Sequence, residues 1–258
     1  HKEEDGKCAG RTRSQACRKI IVKIYLMRRI FTLILLIASA TAGFAQVRIA
    51  TPGTELVLKA EKGSELQIQY FGGRLSDADA KVLEAAGVPN HNAYQPYGIW
   101  CSWESALEVT HADGNLSTVL KVDEVSTVEE PAAKVTRIKL KDPVYPFYVT
   151  VCYRAYQDVD MIETWTEIEN LEKKPVTLTR FDSGYLPIRV GDVWVSHLHG
   201  TWAAEGNLVQ EPLERGMMVI KNKDGSRNSH TDHAEVMFSL DGKPQENAGR
   251  VIGAALCY

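Results

Sequence analysis

The chain has 258 residues, with 30 Lys/Arg against 33 Asp/Glu, a formal net charge of −3 and 44% hydrophobic residues. Nine of the basic and three of the acidic groups fall in residues 1–45, so residues 46–258 carry a net charge of −9, a surface that repels phosphate backbones and argues against nucleic acid as a partner. That stretch is long enough for one large domain with a sizeable core. Its three cysteines, Cys101, Cys152 and Cys257, are too few and too widely spaced for a disulfide framework; at most one pair could form, and spacing does not choose it.

Residues 1–26 open with the charge run Lys2-Glu3-Glu4-Asp5, continue through Arg11, Arg13, Arg18, Lys19 and Lys23, and read as a disordered upstream extension. Residues 27–45 then carry the three regions of a secretory signal peptide: Met27-Arg28-Arg29, the apolar run Ile30 to Ala38, and small residues closing at Ala42-Gly43-Phe44-Ala45. The apolar run falls short of the roughly 20 residues a membrane span needs. Export to the periplasm or medium is expected, with a cut after Ala45 and Gln46 as the mature N-terminus.

From Glu55 onward period-two alternation dominates. Leu56, Leu58 and Ala60 alternate with Glu55, Val57 and Lys59, and after Gly63 the pattern returns through Leu66, Ile68 and Tyr70, which predicts a hairpin. One helix is expected, with Ser76 as N-cap, Asp77 and Asp79 in the first turn, Val82, Leu83 and Ala86 apolar, and Gly87 as C-cap. Ala106–Thr110 and Leu116–Val122 read as strands joined through Ala112-Asp113-Gly114-Asn115. Further strands are expected at 134–140, 147–156, 161–168, 176–181, 193–197, 217–221, 234–240 and 251–256, separated by turns such as Asp142-Pro143 and Asp241-Gly242. Many strands, polar turns and a single short helix predict an all-β antiparallel β-sandwich, one domain over 46–258.

Three groups of side chains could carry chemistry. Glu163, Glu167 and Glu169 share one strand face, the pattern of a solvated outer face rather than of a glycosidase carboxylate pair. His197 and His199 share a face, and His230, Asp232 and His233 follow. A metal site needs about three convergent ligands with supporting partners, and none is expected here. Of the five tryptophans, Trp165 is expected in the core. Trp202 follows Gly200 and precedes Ala203-Ala204-Glu205-Gly206-Asn207, which reads as a strand-end loop from which an aromatic ring can stack on the apolar face of a sugar.

Four blocks stand in order between Asp160 and Ser239: Asp160-Met161-Ile162-Glu163-Thr164-Trp165, Arg180-Phe181-Asp182-Ser183-Gly184-Tyr185-Leu186, His197-Leu198-His199-Gly200-Thr201-Trp202 and Gly225-Ser226-Arg227-Asn228-Ser229-His230. This order resembles the N-terminal β-sandwich domain of glycoside hydrolase family 36, the α-galactosidase family. A looser likeness runs from Val47 through Tyr94-Gln95-Pro96-Tyr97-Gly98, Ser105-Ala106-Leu107-Glu108-Val109 and Asp113-Gly114. Two departures stand out: Gly200-Thr201-Trp202 where many members have Gly-Arg-Trp, and Asn228-Ser229-His230-Thr231-Asp232-His233-Ala234 where many have Ser-Ser-His-x-x-Asn-Pro.

The resemblance implies an exported α-galactosidase that removes terminal α-galactosyl units from oligosaccharides without a cofactor. Its retaining chemistry uses two carboxylates held in a C-terminal (β/α)8 barrel. The chain stops at Leu256-Cys257-Tyr258, about where the family passes from sandwich to barrel, so no catalytic residue is assigned and this chain alone is expected to be inactive. The implied partners are the protein's own barrel, a galactosyl oligosaccharide bound together with that barrel, and further copies in a homo-oligomer. Family structures place a tryptophan of this block near the sugar pocket, and the resemblance carries that substrate-binding role to Trp202. Two other readings stay open on the residues alone: a stand-alone carbohydrate-binding or structural module, and a metal-dependent β-fold enzyme using the histidine pairs.

Overall fold

The computed structural model describes residues 46–86, 91–98, 104–188, 191–222 and 231–257. The expected extension over 1–26 and leader over 27–45 lie outside them, as do Gly87, Trp100, Cys101, Trp103, His230 and the block from Gly225 to His230. The strands, in chain order, are β1 (Gln46–Ala50), β2 (Thr54–Lys59), β3 (Gln67–Gly73), β4 (His91–Asn92), β5 (Leu107–Thr110), β6 (Lys121–Glu130), β7 (Ala133–Lys141), β8 (Phe147–Tyr156), β9 (Ile162–Asn170), β10 (Thr177–Phe181), β11 (Trp194–Thr201), β12 (Ala204–Pro212), β13 (Asp232–Ser239) and β14 (Val251–Ala255). One helix, α1 (Asp77–Ala85), follows β3. This is the all-β antiparallel sandwich class that the alternation predicts. The chain divides into two compact units, the first ending at Leu186 and the second beginning at Pro187.

The first unit holds the sheet β1-β2-β3-β4, the sheet β6-β7-β8-β9 and the pair β10-β5. Period two sends Ile49, Leu56 and Leu58 from the first sheet, Ile138, Leu140, Val149 and Val151 from the second, and Leu107 and Val109 from the pair into one buried cluster. Each such side chain contributes about 1.5–3 kcal/mol on burial. The β2–β3 hairpin appears as expected, with Leu58 opposite Ile68. The carboxylate of Glu55 is buried with this core. Glu55 is 0% exposed and takes bonds from the Arg48 guanidinium and from the Leu75 N–H at 2.9 Å. Arg48 continues to Asp77 at 2.7 Å, which ties α1 to the sheet. The helix starts as its cap predicts, with the Asp79 N–H donating to Ser76 Oγ at 3.2 Å, but its C-cap is Ala86 in ordinary right-handed geometry.

Several expectations need correction. The turn at Asp113-Gly114 forms, with the Gly114 N–H on His111 O and the His111 N–H on Asn115 O, both at 2.8 Å. The return strand over 116–122 does not, because β5 pairs with β10 instead. Thr118 donates its N–H to Tyr97 O at 3.0 Å and Val119 to Asp142 at 2.8 Å, so this stretch bonds sideways rather than back along β5. The strand begins at Lys121 and runs to Glu130, turning into β7 through Pro131-Ala132. Residues 217–221 form no strand; Met217 and Val219 are exposed. Ala204–Pro212, read as loop in its first part, is a full strand paired with β11. Cys152 and Cys257 are free, and burial followed by the charge of Glu167 pushes the Cys152 thiol up to about 11. Among the described residues no helix is long and apolar enough to cross a membrane.

Candidate functional site

The second unit is the antiparallel sheet β12-β11-β13-β14. Thr201 pairs with Ala204, so Trp202 and Ala203 form a two-residue turn at the tip of the β11–β12 hairpin. Trp202 is 80% exposed there, and Ala203 sits at φ 61°, the left-handed region where a Cβ is disfavoured. The strand-end loop expected around Trp202 is therefore a tight turn, and its ring projects from a fixed ladder. Glu205 accepts the Ala203 N–H at 3.3 Å, and the Asn207 side chain donates to Ala204 O at 2.8 Å.

The strand leading to this turn is bulged twice. Its register shifts between His199 and Thr201 against β12, and between His197 and His199 against β13. Bulges bend a strand and re-aim its side chains. Here they bring together residues that the sequence places more than thirty positions apart. His199 Nδ1–H donates to Asp232 Oδ1 at 2.9 Å. His197 Nδ1 lies 3.6 Å from the same oxygen, too far for a hydrogen bond, and its Nε2 lies 3.8 Å from Glu211. The His199 bond, then a backbone bond from Lys221, hold the Asp232 carboxyl below its ordinary range. His233 stands apart from this group, 3.8 Å from Glu235. Among the described residues no three His, Cys, Asp or Glu side chains are arranged to hold a metal ion.

The carboxylates of β9 behave as a solvated face. Arg154 pairs with Glu163 at 2.6 Å, Arg137 with Glu167 at 2.5 Å and Lys139 with Glu169 at 3.3 Å. Burial pushes the Glu167 carboxyl up, but the bonds from Arg137 and Trp165 outweigh it and leave the group below its ordinary value. A glycosidase acid needs the opposite shift. Trp165 belongs to this face as well, which corrects its expected place in the core. It has the parity of Glu163 and Glu167, is half-buried, donates Nε1–H to Glu167 at 3.1 Å, and lies between Arg154 and Arg137 at 5.1 and 5.6 Å from its ring centre.

One polar cluster escaped the sequence reading. His111 Nδ1–H donates to Glu172 at 2.8 Å, while its Nε2 stands 3.0 Å from the Thr118 hydroxyl. Hydroxyl, imidazole and carboxylate in line are the parts of a nucleophile–base–orienter relay. Thr118, however, is 0% exposed, so no substrate reaches it, and the relay is a structural tie between the 111–118 turn and the end of β9. No sequence spacing announces it.

A model of the glycosyl hydrolase family 36 N-terminal domain matches residues 64–258. The chain belongs to this family. Solved α-galactosidases of family 36 share the fold of this N-terminal domain. AgaB from Geobacillus stearothermophilus matches with a TM-score of 0.70 at 19% identity, over 84% of this chain and 34% of its own. AgaA from the same organism matches at 0.69 and 19%, over 81% and 33%. The enzyme from Lactobacillus brevis matches at 0.65 and 19%, over 77% and 31%. The family 36 chain described here thus spans about a third of the length of the solved structures it matches. No curated protein matches it.

Sheet register adds one feature to the second unit of this family 36 domain. Leu208 of β12, Leu198 of β11, Met237 of β13 and Val251 of β14 share one face, and Leu208, Met237 and Val251 are 57%, 47% and 56% exposed. Three exposed large apolar groups on one face, with half-buried Leu198 beside Leu208, make this a candidate interaction face.

Proposed function

We propose that this chain is the N-terminal part of an exported α-galactosidase, and that its second unit covers one side of a catalytic (β/α)8 barrel and lends Trp202 to the rim of the barrel's sugar pocket. The observation that carries this reading is the family 36 match over residues 64–258, joined to a ring 80% exposed at the tip of a tight hairpin. Relatives supply the substrate class: variants of AgaA have been solved in complex with stachyose and with raffinose. The exposed apolar groups Leu208, Met237 and Val251 suit packing against such a barrel. A flat indole can stack on the C–H face of a galactosyl ring while the barrel supplies acid and nucleophile. On this reading residues 46–258 alone turn over no substrate, because acid and nucleophile both belong to the barrel, and the β9 carboxylates, each paired with a cation, do not suit those roles.

The deciding experiment reads the coding sequence beyond Tyr258 and expresses the joined protein. A barrel in frame, or displaced by a frameshift, with hydrolysis of an aryl α-galactoside by the joined protein and none by residues 46–258, supports the reading. A stop followed by unrelated sequence supports a stand-alone carbohydrate-binding module instead. Export is tested separately by N-terminal sequencing of protein from the periplasm or medium, where Gln46 is expected and residues 30–45 on the mature chain would mean an anchor.

A further inference from the structure

We infer that the Asp232 carboxylate is a positioning group that fixes the orientation of Trp202, acting through His199 and the doubly bulged end of β11. The inference deepens the proposed role of Trp202 and rests on that reading for its purpose, though not for its geometry. Trp202 has few constraints of its own, being 80% exposed. What aims it is the strand three residues upstream. That strand leaves ladder register at two places, where the ladder is locally disrupted and the strand bends, so side-chain contacts there bear on its direction.

Asp232 supplies the holding contacts. Its carboxylate takes the His199 Nδ1–H at 2.9 Å and faces the backbone N–H of Lys221. Its carbonyl takes the Asn222 side-chain amide at 3.0 Å, and the residue before it, Thr231, accepts the Gly200 N–H at 2.8 Å. Asp232 thus joins β11, β13 and the 221–222 segment at one point. Gly200, buried and one residue from the turn, is where that junction meets the hairpin. His197, with its side chain only 10% exposed and its Nδ1 3.6 Å from the same carboxylate oxygen and otherwise unpartnered, stands next to the carboxylate as a second imidazole. Charge-assisted bonds of this kind are the strong ones, so the hairpin is preorganised before any sugar arrives.

The test uses the full chain labelled with ¹⁵N, in which the signal of Trp202 among the five indole N–H signals is assigned from the Trp202→Phe spectrum. Asp232→Ala is expected to move and broaden the Trp202 indole signal and to speed amide exchange at Gly200 by at least about tenfold, equal to ~1.4 kcal/mol of local opening. The Trp165 signal and the amides of β8 should stay in place. His199→Ala should give the same pattern, and the double variant should add little to either single one. Should Asp232→Ala fail to fold, Asp232→Asn is read on the same two signals. An unmoved Trp202 signal with unchanged Gly200 exchange would overturn the inference, and so would equal movement of all the indole signals. None of these readouts needs a sugar. If they hold while Trp202 proves idle in the joined enzyme, the sugar role falls and the positioning contact stands.

Discussion

His111 and Glu172 meet inside the first unit, Nδ1 to Oε1 at 2.8 Å, with side chains 0% and 6% exposed. The second Glu172 oxygen accepts the Ala112 N–H at 3.0 Å, and the imidazole lies flat on Tyr145, ring centres 3.7 Å apart. One carboxylate therefore satisfies a buried imidazole and a half-buried N–H, and removing it strands both, at about 1–3 kcal/mol each. Glu172→Ala should lower the unfolding free energy by about 3 kcal/mol in urea, and Glu172→Gln, which keeps an acceptor, by about half as much. Equal losses for the two variants would mean that side-chain volume, not hydrogen bonding, holds the turn.

The buried Glu55 gives a pH dependence whose sign follows from its surroundings. Burial pushes its carboxyl up, but the bond from Arg48, the Leu75 N–H and the charges of Arg48 and Arg74 outweigh it and hold the folded value below the ordinary one. A depressed folded value means stability that is fully present above the unfolded value, about 4.3, and is lost as pH falls through the folded one. Arg48→Met removes the compensation and leaves a buried, unpaired carboxylate, a change that costs about 3–5 kcal/mol at pH 7. In that variant burial is opposed only by the Leu75 N–H and the charge of Arg74, so protonation relieves the cost. The gap between wild type and Arg48→Met in thermal midpoint should narrow as pH drops from 7 toward 4. A gap constant over that range would show that Glu55 does not sense Arg48.

The two tryptophans at issue should separate cleanly. Trp202→Ala removes an exposed ring and should cost the isolated chain under about 1 kcal/mol. In the joined enzyme it should raise KM or lower kcat through lost stacking and positioning. Trp165→Ala removes a half-buried ring held between Arg137 and Arg154 and a hydrogen bond to Glu167, and should cost about 2 kcal/mol, less than the roughly 3–5 kcal/mol of a fully buried aromatic. A loss at Trp202 as large as that at Trp165 would place its ring in packing contacts and remove the case for a pocket role.

The sandwich could be read from the sequence wherever bulky apolar residues alternate with polar ones, as in Ile138-Lys139-Leu140-Lys141 of β7. Strand β12 escaped because Ala204-Glu205-Gly206-Asn207 offers no apolar face; only its pairing with β11 makes it a strand. The reverse error fell on residues 217–221, where Met217 and Val219 alternate correctly but stay exposed. Trp165 was readable by parity, since it shares the face of Glu163 and Glu167, and its size argued for the core against that parity. The Asp232 junction was not readable. His199 reaches Asp232 across a bulged β11–β13 ladder, and neither the bulge nor the thirty-three-residue closure has a local signal.

Ala203 offers the sharpest test of how rigid the Trp202 turn is. Its φ of 61° puts a Cβ where the carbonyl crowds it, at about 1–2 kcal/mol for an L-residue. Glycine occupies that region freely but loses roughly 0.5–1 kcal/mol of unfolded-chain entropy on folding. Ala203→Gly should therefore stabilise the chain by about 0.5 kcal/mol in denaturant midpoint, leaving the Thr201–Ala204 pairing intact. Relieving the strain also frees the turn, so the same variant should sharpen the Trp202 indole signal through faster motion while the Gly200 amide keeps its exchange rate. A destabilisation comparable to the loss of a buried side chain would mean that the Ala203 methyl group packs against the site and that the turn is not strained.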